Sequence, residues 1–152
     1  VTTELLYLED ITPGMRFTSP SAHVSEADVV RFAKEFDPQP FHADPQAAKN
    51  SFFGRLVASG WHTGAVTMRL LATGGLPLAG GIIGASGQLQ WPAPLRPDSD
   101  VHVETEVLDV KPSRSKSDRG LITTRSQTID GEGTVVQVVE MKVLVWSKSQ
   151  AK

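Results

Sequence analysis

The chain has 152 residues, a formal charge of -2, 39% apolar and 21% charged residues, and no cysteine. That size suits one buried core and is short for two ordinary domains, so residues 1–152 are expected to form a single domain. The balance excludes disordered and collagen-like classes, the near-neutral charge argues against nucleic acid or an anionic membrane as partner, and the lack of cysteine excludes disulfides, thiolate nucleophiles and cysteine-ligated metals.

Residues 1–8 carry Glu4 and no basic segment ahead of an apolar run, and no stretch approaches about eighteen uninterrupted apolar residues. A cytoplasmic protein is expected.

In chain order, 15–24 reads as an early strand. Ser25-Glu26-Ala27-Asp28 then has the form of a capping box ahead of Val29, Val30, Phe32 and Ala33 at helical spacing. The helix should start near Glu26 and end near Phe36, because Pro38 and Pro40 disfavour helical geometry in the residues before them and remove two donors. Residues 37–42, Asp-Pro-Gln-Pro-Phe-His, therefore read as a stiff extended loop. Asp44-Pro45 has the form of an N-cap with proline at the first helical position, opening a short helix, and Gly54 closes a turn beyond it.

From Ser59 a longer helix is expected, with Trp61, Ala65, Met68 and Leu71 on one stripe, Val66 and Leu70 beside it, and Gly74-Gly75 and Pro77 ending it. Its wide apolar coverage suits a helix embedded in a sheet. The second half changes to β-branched runs at 82–91, 101–110, 121–129 and 134–146, read as antiparallel strands. Val101, Val103, Thr105 and Val107 alternate with polar residues, and Asp130-Gly131-Glu132-Gly133 reads as a tight hairpin. With the early strand the sheet has five strands.

Of the four histidines, His42 alone has an aspartate five residues earlier with prolines between. A carboxylate and an imidazole held together can share one water, the first orienting or deprotonating it while the second exchanges the proton. The same residues read equally well as a turn cap, Asp37, and a hydrogen-bonded surface histidine. Ser59-Gly60-Trp61 opens the long helix, whose first N–H groups have no internal acceptor and sit at the positive end of the macrodipole. The Gly60 N–H suits a thioester carbonyl. Taken alone, a capping serine and a packing glycine are the simpler account.

Taken together, Phe36-Asp37-Pro38-Gln39-Pro40-Phe41-His42-Ala43-Asp44-Pro45 and Phe52-Phe53-Gly54-Arg55-Leu56-Val57-Ala58-Ser59-Gly60-Trp61 resemble the two signature blocks of the MaoC-like (R)-specific enoyl-CoA hydratases, in order and at the right separation. A third block, 89–100, resembles the family's strand ending in Pro-x-x-x-Gly-Asp, without its glycine. Gln39 stands where many members have asparagine, Ser59 where histidine is commoner, and Met68 where some carry serine.

The resemblance implies an α+β hot-dog fold, a long central helix wrapped by an antiparallel sheet, in a homodimer or higher homo-oligomer. It implies hydration or dehydration of a trans-2-enoyl thioester with no metal or organic cofactor, coenzyme A being part of the substrate. Asp37 and His42 are then the acid/base pair and Gly60 the carbonyl donor, with Ser59, Trp61 and Phe53 binding substrate. Phe52 and Trp91 are further candidates for an acyl tunnel, although aromatics at such spacing are more often core. His62 reads as structural. Lys111, Arg114, Lys116 and Arg119 read as a solvated loop, with attraction of coenzyme A phosphates the alternative. A hot-dog acyl-CoA thioesterase and a non-catalytic acyl-CoA-binding subunit remain open at this point.

Overall fold

A computed structural model describes residues 4–150. After a short 3-10 turn, Leu8–Asp10, come strands β1 (Arg16–Thr18) and β2 (Ala22–Val24), then helices α1 (Glu26–Phe36), α2 (Pro40–Ala43), α3 (Pro45–Ala48) and α4 (Gly60–Leu70). Four longer strands follow: β3 (Ile83–Gln90), β4 (Ser99–Pro112), β5 (Arg119–Asp130) and β6 (Val135–Trp146). The sheet order is β1-β4-β5-β6-β3, with β2 also on β4. All these pairings are antiparallel.

This is the hot-dog arrangement, with six strands rather than the expected five. The extra strand arises within 15–24, where Ser19 and Pro20 interrupt pairing. Proline has no N–H for the ladder, and Ser19 instead exchanges bonds with Val103, donating its N–H to the Val103 carbonyl and accepting the Val103 N–H on Oγ.

α1 has the expected bounds. Ser25 Oγ accepts the Asp28 N–H, and the Asp28 carboxylate accepts the Ser25 N–H. α3 opens as expected, Asp44 accepting the Gln46 N–H with Pro45 behind it. Gly54 has φ of 69°, which suits glycine in its turn. Residues 37–42 are not wholly extended, however. Pro40 begins α2, because the fixed φ that bars proline from a helix interior suits the first helical position.

The face of α4 differs from expectation. Val66, Leu70 and Leu71 are buried as expected, but His62, Thr63 and Thr67 share the buried side, whereas Trp61, Ala65 and Met68 are exposed. Thr67 is accommodated by donating its hydroxyl hydrogen to the Thr63 carbonyl one turn back. The buried face of the sheet, on which α4 packs, carries Val101, Val103, Thr105 and Val107 of β4, Ile122, Thr124, Ser126 and Thr128 of β5, and Val139, Met141, Val143 and Val145 of β6. The alternation in β4 and the hairpin at residues 130–134 follow the expectation. Among the described residues no helix is long and apolar enough to cross a membrane.

Candidate active site

The Asp37 N–H still bonds to Ala33 as the last helical turn of α1 closes, and the chain leaves α1 there with φ -152° and ψ 70°. Pro38 prevents the helix from continuing, so the carboxylate projects from the helix end. Its Oδ1 accepts the Gln39 side-chain amide at 2.6 Å, and its Oδ2 accepts the Ser59 hydroxyl at 2.7 Å. Burial acts to raise the Asp37 pKa, but the hydrogen bonds from Ser59 and Gln39, with the nearby His42, outweigh it and hold the carboxyl below its ordinary value. The group is thus a carboxylate at neutral pH, with both oxygens already oriented.

His42 is buried on α2. Its Nδ1 lies 2.7 Å from the Val57 carbonyl oxygen. A carbonyl only accepts, so Nδ1 carries the hydrogen and Nε2 of the neutral ring keeps its lone pair. Nε2 lies 3.5 Å from Asp37 Oδ2. Val57 belongs to a buried segment laced on both sides, with its N–H on the Phe41 carbonyl and the Ala58 N–H on the Leu95 carbonyl. That segment delivers the chain into α4 and fixes the histidine relative to the helix start.

A cavity of about 420 Å³ opens over these groups, lined by Asp37, His42, Phe53, Gly60, Trp61 and Trp91 among others. Gly60 is the first residue of α4, so its N–H has no intrahelical acceptor. The structure therefore brings Asp37, His42, Gly60, Trp61 and Phe53 to one cavity, as expected.

Ser59 is different. It is 0% exposed, and its Oγ both donates to Asp37 and accepts the Trp61 N–H at 3.2 Å, so it orients the carboxylate and caps α4 rather than facing the cavity. The aromatics are not core either: Phe52 is 96% and Trp61 62% exposed.

Two features escaped the sequence reading. Leu95 and the 92–94 Pro-Ala-Pro turn form part of the lining, as does Val136 of β6. Gln137, fully buried, accepts the Trp91 Nε1–H at 3.0 Å. The available signal was an amide inside the apolar run Val135-Val136-Gln137-Val138-Val139. His62 is not at the cavity; it stacks on Phe32 at 4.6 Å. The Lys111 to Arg119 turn joins β4 to β5 at the opposite end of the sheet from Val136, and there Arg119 pairs with Asp118 and lies over the Trp146 ring.

The MaoC like domain family matches residues 10–129. The chain belongs to the MaoC-like domain family. Three relatives of this MaoC-like domain illustrate the likeness. The crystal structure of a MaoC-like dehydratase from Rhodospirillum rubrum is 54% identical with a TM-score of 0.92, over 94% of this chain and 98% of that one. An uncharacterized protein of Bacillus subtilis, YdeM, is 32% identical over 91% of this chain and 97% of its own length. A 3-hydroxybutyryl-CoA dehydratase of Methylorubrum extorquens is 32% identical over 74% of this chain and 71% of its own. The expected family and fold are thus both found.

Proposed function

We propose that this MaoC-like domain reversibly hydrates a trans-2-enoyl thioester of coenzyme A to the (R)-3-hydroxyacyl thioester. The observation that carries the reading is the pairing of an ionised Asp37 with His42 Nε2, 3.5 Å away on a ring whose Nδ1 is held by the Val57 carbonyl, at a cavity that also holds the start of α4. That gap is too long for a good direct hydrogen bond. With the ring neutral, a water seated to the side of the pair can donate one hydrogen to each acceptor and keeps a lone pair for C3 of the substrate.

In the forward direction the water oxygen bonds to C3 as its proton passes to His42 Nε2. The electron pair of the double bond moves toward the thioester carbonyl, and the Gly60 N–H and the α4 macrodipole oppose the charge that develops there. The imidazolium, stabilised by Asp37, then gives a proton to C2. The sum is one water added, and no metal or organic cofactor is required. The dehydratase named among the relatives supports the reaction class.

The reading includes a cytoplasmic location and a homodimer. β3 lies at the end of the sheet order and is mostly exposed, while Trp61, Met68, Leu89 and Met141 line an apolar trough beside it. A second copy pairing along β3 satisfies that edge.

Hydration of a short trans-2-enoyl-CoA, followed by loss of enoyl-thioester absorbance, tests the reaction. Asp37→Asn and His42→Ala are each expected to lose at least about 10²-fold in kcat. Rates near wild type in both folded variants would refute the assignment.

A further inference from the structure

We infer that Gln137 is a positioning residue that sets acyl-chain length, by latching the Trp91 indole as a wall of the catalytic cavity; the inference rests on reading that cavity as an enoyl-thioester site. Gln137 reaches this position through a bulge. In the β5–β6 register Thr128 pairs with Gln137 and Ile129 with Val135, so Val136 is an extra residue. Val136 and Gln137 are both buried in consequence, Val136 lining the cavity and Gln137 contacting the indole.

The direction of every bond in this cluster follows from counting hydrogens. Thr67 Oγ1 donates its one hydrogen to the Thr63 carbonyl at 2.7 Å, so it accepts from Gln137 Nε2 at 3.1 Å and from Thr128 Oγ1 at 2.6 Å. The Gln137 amide cannot flip, since its carbonyl would then face an oxygen with no hydrogen to give. Oε1 is therefore held toward Trp91 Nε1 at 3.0 Å.

The indole so held packs on Gly60, where a side-chain methyl carbon would fall 2.6 Å from Trp91 Cε2, and it meets Trp61 edge to face at 5.5 Å. An acyl chain leaving a carbonyl held at Gly60 meets this indole almost at once. The site accordingly selects a short, straight enoyl chain. Without the Gln137 acceptor the indole, already 43% exposed, turns its N–H to water and the wall opens.

The test compares wild type, Gln137→Leu and Trp91→Phe on four-carbon and eight-carbon trans-2-enoyl-CoA, with calorimetric binding of the matching saturated acyl-CoAs. Wild type should favour the four-carbon substrate by at least about tenfold in kcat/KM, the scale on which apolar pockets discriminate chain length. Both variants should move that ratio toward the longer chain by about threefold or more, with the gain in KM rather than kcat. A ratio unmoved in folded variants, or no short-chain preference in wild type, overturns the latch while leaving hydration standing.

If wild type hydrates neither substrate, the hydratase reading fails separately, and the two saturated thioesters decide the latch: a shifted binding ratio supports it, whereas an unshifted ratio or no binding overturns it. Should Gln137→Leu not fold, the near-isosteric Gln137→Met, which also lacks the amide acceptor for the Trp91 N–H, takes its place with the same outcomes.

Discussion

Gly60→Ala isolates the contact between the helix start and the indole wall. An alanine methyl there would lie 2.6 Å from Trp91 Cε2 and 2.9 Å from Cδ2 and Cζ2. Carbon atoms prefer about 3.5–4.0 Å, so relief needs the ring or the helix to move by roughly 1 Å. The ring cannot retreat freely, because its Nε1–H is held by Gln137 at 3.0 Å.

Overpacking of this kind costs about 1–3 kcal/mol, and the better helix propensity of alanine returns at most about 1 kcal/mol. A net loss of about 1–2 kcal/mol is expected, which for a chain of this length lowers the thermal midpoint by about 2–8 °C. The assay is denaturant and thermal unfolding of wild type, Gly60→Ala, Trp91→Ala and the double variant. With the indole gone the overpacking should vanish and leave only the propensity gain of alanine, giving a coupling of about 1–3 kcal/mol. An equal penalty in both backgrounds, or none in the first, would show that the indole does not press on Gly60.

Three further outcomes are expected. Ser59→Ala removes a bond that lowers the Asp37 pKa, so the Asp37 carboxyl, followed by NMR, should titrate at higher pH than in wild type, and loss of the α4 cap should cost about 1 kcal/mol in unfolding experiments. An unmoved carboxyl titration in a folded variant would show that the Ser59 hydroxyl does not stabilise the Asp37 carboxylate. His62, whose pKa is lowered by burial and whose Nδ1 has no partner among the described residues, binds a proton less well folded than unfolded. Wild-type stability should therefore fall as pH drops through and below the ordinary imidazole range, and denaturant titrations of His62→Phe should show a flatter dependence there. Thr124 is fully buried and its hydroxyl has no partner among the described residues, so Thr124→Val should raise the unfolding free energy by about 1 kcal/mol; a loss of similar size would reveal a partner for that oxygen.

Much of the frame was legible in short stretches of sequence, because the physics there is local. The capping box at Ser25 and the N-cap at Asp44 satisfy donors two or three residues away, and the β4 alternation needs only the two-residue repeat of a strand. The pairing of Asp37 with His42 and their link to Gly60 came from two motif blocks whose order and spacing were visible. Pro40 shows the limit of local rules, since the same ring that ends one helix begins the next.

Tertiary structure decided what each side of an element meets. Periodicity gave α4 an apolar stripe through Trp61, Ala65 and Met68, yet that stripe borders the trough beside β3 while His62, Thr63 and Thr67 turn inward. Thr63 and Thr67 donate to carbonyls one turn back, but the acceptor capacity of Thr67 is met only by Thr128 and Gln137, which arrive from β5 and β6 more than sixty positions along the chain. The roles of Ser59 and Gln137 depend in the same way on atoms that folding brings within hydrogen-bond reach. Sequence thus determined the local caps, turns and most strands and the nearness of Asp37 to His42, whereas the shape of the cavity wall arose from a one-residue bulge whose effect exists only once β5 and β6 are paired.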